Sequence, residues 1–115
     1  MLVSRQFVRI SMLAPAICLG LVLAGCQAVT PDPQLRTASK ATLKERTRMT
    51  CTVTQARLQN VTQAKVERGC GCYATKTMNA LTPQEIQAFR DTSVFNASAR
   101  LKALAAVDAC GLKRP

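Results

Sequence analysis

Apolar residues fall into one nearly unbroken block near the start of the chain and then into shorter, interrupted stretches. The block runs from Ile10 to Leu23, 14 residues interrupted by Pro15. It is too short for a membrane span, which needs about 20 apolar residues, and it has the length of the apolar core of an export leader. Past Thr30-Pro31-Asp32-Pro33, which cannot enter a helix interior, the spacing turns helical.

A first helix is predicted from Ser39 to Leu58, with Ser39 as N-cap and Leu43, Met49, Val53 and Ala56 facing inward. Met49-Thr50-Cys51-Thr52-Val53-Thr54 also alternates in a two-residue, β-branched rhythm, so a short strand is the competing reading. Helix is preferred because the sequence offers no partner strand. A second helix runs from Thr62 through Cys70 and Cys72 to about Ala80, weakened at Gly69 and Gly71, where small residues allow a close approach by a neighbour. Leu81-Thr82-Pro83-Gln84-Glu85-Ile86 is the sharpest local signal, with Thr82 as N-cap, Pro83 at N1, Glu85 closing a capping box and Leu81 stapled to Ile86. The third helix ends near Asp91, with Phe89 and Phe95 packing inward. Asn96 caps a fourth, with Ala97, Leu101, Leu104 and Ala105 inward and Gly111 as its stop after Cys110. The prediction is all-α: a small bundle of about four short helices, with no internal repeat.

The end of the leader carries an address. Basic residues precede the apolar block, and Leu23-Ala24-Gly25-Cys26 follows from it, which resembles the lipobox of bacterial lipoproteins. That resemblance implies cleavage before Cys26, acylation of its thiol and then of the new amino terminus, and stable anchoring by several acyl chains. Cys18 lacks the small-residue context that Cys26 has. Gln27, standing where Asp would signal retention, implies transfer to the outer membrane, facing the periplasm. The expected organisation is a leader over 1–25, a lipidated Cys and flexible tether over 26–38, and a helical domain over 39–115. The covalent lipid on Cys26 is the one prosthetic group expected.

An exported location is oxidising, so Cys51, Cys70, Cys72 and Cys110 read as two disulfides that staple a thin core. Removing the leader leaves 90 residues, whose folding buries only about 60–65% of the unfolded surface, and the whole chain has three Phe, one Tyr and no Trp. Residues two apart on a helix point about 200° from each other, so Cys70 and Cys72 reach different neighbours. One ties down Cys51 and the other Cys110, with the choice between the two pairings open. The competing chemical reading makes Cys70-Gly71-Cys72 an exchange-active pair, with Arg68 and Lys76 favouring a thiolate. A four-cysteine metal site is disfavoured by the one-residue spacing, so no metal is expected.

The stretch from Cys51 to Cys110, with Cys70-Gly71-Cys72-Tyr73-Ala74 and Leu81-Thr82-Pro83-Gln84-Glu85 between, resembles a loose group of small proteobacterial periplasmic proteins. The resemblance implies a helical disulfide fold and transfers no active-site residue.

Charge narrows the function classes. The chain has 16 Lys plus Arg against 6 Asp plus Glu; with Arg5 and Arg9 in the leader, 14 basic residues remain in the rest. Arg36, Lys40, Lys44 and Arg48 recur every fourth residue, a basic stripe beside the tether suited to anionic headgroups or lipopolysaccharide phosphates. Nucleic acid is disfavoured by compartment and by the lack of aromatics among the cations. The chain has no histidine, which excludes His-dependent triads, relays and zinc sites. The acids form no catalytic pair: Glu85 is spent on capping, and Glu45 and Glu67 balance neighbouring cations. Asn60-Val61-Thr62 and Asn96-Ala97-Ser98 match the glycosylation sequon but read as helix starts in a bacterial chain. No catalytic residue is assigned. The favoured reading is a lipid-anchored envelope module that binds another envelope protein or an anionic surface. The alternatives are a thiol-disulfide exchange protein using Cys70 and Cys72, or an inhibitor or immunity-type lipoprotein.

Overall fold

The computed structural model describes residues 30–115, so the leader and the lipidation candidate Cys26 lie outside the described residues. Among those described, a single 3-10 turn at Pro33–Leu35 precedes four helices, α1 Lys40–Gln59, α2 Gln63–Ala80, α3 Pro83–Thr92 and α4 Ala97–Ala109, and there is no strand. The fold is all-α. The alternating run at Met49–Thr54 is helical throughout.

Each boundary has a local chemical cause. Ser39 Oγ accepts from the Thr42 N–H at 3.1 Å and starts α1. Asn60 ends it in the left-handed region at φ 53°, and the Val61 N–H closes onto the Ala56 carbonyl at 3.0 Å. Asn60 therefore terminates a helix, and the start within that sequon belongs to Thr62, which stands at the N-cap of α2 without a side-chain cap bond. In α3 the capping box is complete: the Glu85 N–H donates to Thr82 Oγ1 and the Thr82 N–H to the Glu85 carboxylate at 2.8 Å. Asn96 Oδ1 accepts from the Ala99 N–H at 3.0 Å to open α4, and Gly111 at φ 66° ends it, letting the Leu112 N–H reach the Val107 carbonyl at 3.0 Å.

Two apolar clusters hold the helices together. One gathers Leu35, Leu43, Met78, Leu81, Ile86, Phe89 and Ala99, with Ala38 and Phe95 against it. Phe89 and Phe95 are tilted against each other with ring centroids 4.7 Å apart. The other is built around Cys51, Val66 and Cys70, with Ala56, Tyr73 and Leu112 alongside. Leu35 is buried in the first cluster, so the packed domain begins ahead of Ser39.

The inward faces of α1 and α4 differ from the prediction. In α1, Leu43 is buried as expected and Ala56 half-buried, but Met49 is 53% exposed, Val53 is exposed too, and the buried set continues with Thr47, Cys51, Thr52 and Gln55. In α4, Leu101 is 70% exposed, Ala97 and Ala105 are exposed and Leu104 is half-buried, while Ala99, Ala103, Ala106 and Val107 are buried. The cause is shared: bonds from Cys51 to Cys70 and from Cys110 to Cys72 set the rotation of α1 and α4 about their axes against α2. Alanines then face α2, where their small side chains let α4 approach it.

Candidate functional site: a groove beside the segment ahead of α1

The four cysteines of the described residues are consumed in two bonds, Cys51–Cys70 and Cys72–Cys110, with Cα separations of 5.5 and 5.9 Å. These resolve the pairing that spacing left open. Cys70 and Cys72 are not bonded to each other; they point to opposite neighbours, as their helical spacing requires. Gly69 shows the close approach expected of it, since a Cβ there would lie 2.7 Å from Leu112 Cδ2, whereas a Cβ on Gly71 would meet nothing.

The basic stripe is redistributed. Arg36 lies ahead of α1, just past the 3-10 turn, while Lys40, Lys44 and Arg48 are on the helix. Arg48 is engaged, its guanidinium bonding the Glu45 carboxylate and reaching Glu67 of α2 at 3.3 Å. The hydrogen bond to Arg48 holds Glu45 below the usual carboxylate range. Arg36, Lys40 and Lys44 make no ion pair among the described residues, which leaves three free cations around the start of α1.

A half-open groove of about 270 Å³ was not foreseen from the sequence. One wall is α1, contributing Arg46, Thr47, Thr50, Cys51, Thr54 and Gln55; facing it are Tyr73 of α2, Phe89 and Val107, with Ser93, Phe95 and Pro115 completing the rim. Tyr73 is half-buried there, and burial pushes its phenol up from its ordinary value. The Thr47 hydroxyl donates to the Leu43 carbonyl at 2.8 Å and is thereby satisfied. Arg46 contributes the one charged side chain of the lining, and it bonds Asp32 at 3.3 Å.

The segment ahead of α1 meets the rest of the fold at this rim. The Asp32 N–H donates to Ser93 Oγ at 2.6 Å, and Ser93 is itself the left-handed residue, φ 63°, that ends α3. Phe89 and Phe95 were legible as inward-facing; Gln55, Tyr73 and Ser93 carried no sequence signal that sets them apart.

Among the described residues no group of three or more His, Cys, Asp or Glu could hold a metal ion. No helix there is long and apolar enough to cross a membrane. The chain matches no protein-family model, and no curated protein or solved structure matches it.

Proposed function

We propose that this chain is a lipid-anchored binding module of the bacterial envelope, cleaved before Cys26, acylated there and seated by its tether end on an anionic surface. The observation that supports the reading is the pair of disulfides: bonds of this kind form and persist in oxidising compartments, and these two engage every cysteine of residues 30–115. That agrees with the export signal at Met1–Cys26. The three free cations Arg36, Lys40 and Lys44 adjoin the tether, where an anchor would bring them within a Debye length of headgroup or lipopolysaccharide phosphates. Gln27 favours the outer membrane as the destination.

The test is production of the full chain in a Gram-negative host, followed by fractionation, intact mass and thiol counting. The expected product starts at Cys26, carries acyl mass, sediments with the outer membrane and has no reactive thiol. An uncleaved, unacylated chain in the cytosol rejects the proposal. For the surface contact, the purified lipoprotein with Arg36, Lys40 and Lys44 all changed to Gln is expected to lose salt-sensitive retention on anionic vesicles; unchanged retention rejects that part.

A further inference from the structure

We infer that the groove at the foot of the tether takes part of an acyl chain carried by Cys26 of the same molecule; this rests on the lipidation reading above.

The chemistry of the walls selects the ligand class. Tyr73, Phe89, Phe95 and Val107 supply apolar surface, and the one charged side chain, Arg46, is already committed to Asp32. The Gln55 amide is committed as well, to the Lys113 backbone and to Gln59. The remaining polar groups of the lining are uncharged, among them the Thr50, Thr54 and Tyr73 hydroxyls, so the groove offers no free charged side chain to an ion, and an uncharged aliphatic chain is what its apolar surface suits.

The path of the polypeptide selects the source. Asp32 is fixed to Ser93 and Arg46, both of which line the groove, so the chain leaves the domain at the groove's rim. Cys26 is six residues upstream of Asp32. At 3.3–3.6 Å per residue its Cα lies within about 22 Å of that of Asp32 along any path. So short a connection raises the effective concentration of a tethered acyl group at the groove to the mM range, above that of any lipid arriving by diffusion through water.

Size sets the stoichiometry. A half-open volume of about 270 Å³ accepts a portion of one chain and leaves the others to the bilayer. A domain held in this way is drawn down onto the membrane with Arg36, Lys40 and Lys44 toward the headgroups, rather than standing off at the full length of its tether.

The experiment uses the full chain made in a Gram-negative host fed a diazirine-bearing palmitate analogue, with isolated membranes irradiated and peptides mapped by mass spectrometry. The expected result is a cross-link within one molecule, from the Cys26 acyl group to Tyr73 or to the Phe89–Phe95 segment. Thr50→Trp and Thr54→Trp, each placed at an exposed position on the groove wall, are expected to fill the groove and abolish that link. Label on Cys26 that links to phospholipid alone, or to other faces of the domain, overturns the inference and leaves the anchor standing. A groove link that survives both substitutions also overturns it. Absence of label from Cys26 overturns the anchor itself.

Discussion

The side chain of Gln55 reads both backbone groups of Lys113, donating through Nε2 to its carbonyl at 2.6 Å and accepting its N–H on Oε1 at 3.0 Å. The pairing mimics one rung of a β-ladder with an amide side chain. It pins the segment after α4 along α1, and it is reinforced by Gln59, whose Nε2 donates to the same Oε1 at 2.6 Å. Leu112 is seated against Gly69 by the same arrangement, and Pro115 is brought to the groove. The tail thus serves as a fifth packing element without secondary structure of its own.

Gln55→Ala leaves the Lys113 N–H and carbonyl without that partner and is expected to cost about 1–3 kcal/mol. For a domain of this size each kcal/mol lowers Tm by about 4–8 °C. Calorimetry measures the loss. Hydrogen exchange locates it, since amides of Leu112 and Lys113 should exchange faster while those of α3 keep their protection. An unchanged Tm would show the clamp to be incidental.

The disulfides should open in order. Cys51 and Cys70 are buried, 8% and 0% exposed, while Cys72 and Cys110 are half-buried. A dithiol must reach a sulfur to attack it, so limited reduction and alkylation is expected to label Cys72 and Cys110 first. The closed loops span 19 and 38 residues. On the chain-entropy estimate, loss of Cys51–Cys70 costs about 3 kcal/mol and loss of Cys72–Cys110 about 4 kcal/mol. Paired Cys→Ser variants compared by urea unfolding check that ranking.

Helix boundaries were legible because caps act over a few residues. Thr82, Pro83 and Glu85 declare α3 within one turn, and Ser39, Asn96 and Gly111 do the same for the others. Which faces turn inward is decided at long range. Thr52 and Gln55 hide in α1 because Cys51 must meet Cys70 and because a tail 58 residues away needs a polar partner, and hydropathy records neither cause. Leu101 faces water because the bond at Cys110 turns α4 to present alanines to α2. The groove is illegible in the sequence for a related reason: its walls come from all four helices, so its residues become neighbours only in the folded chain.

Gly71 and Gly69 offer an internal comparison. Both lie within α2, where glycine costs about 1 kcal/mol relative to alanine. A methyl at Gly71 meets nothing within 4 Å, so Gly71→Ala is expected to raise stability by about that amount. A methyl at Gly69 must displace Leu112, so Gly69→Ala should gain less or lose. Equal gains at both sites, measured by chemical denaturation, would show that the Leu112 contact does not matter.

Acid stability should turn on Glu85. The Lys102 ammonium at 2.8 Å, then the Ser98 hydroxyl and the Thr82 N–H, hold its carboxyl down to about 2 from an ordinary 4.5. A carboxyl depressed in the fold contributes stability that is fully present above its unfolded value and lost as pH falls through its folded value. Stability is therefore expected to decline from about pH 4.5 toward pH 2, and to show no slope from this group near neutrality. Glu85→Gln should be less stable at pH 7 and lose less on acidification. Lys102→Met removes the largest cause and should raise the Glu85 titration toward 4.5, read from its side-chain carboxyl carbon by NMR. If that titration stays near 2 in the Lys102 variant, the Ser98 and Thr82 hydrogen bonds suffice to depress it and the Glu85–Lys102 pair has no part in acid resistance.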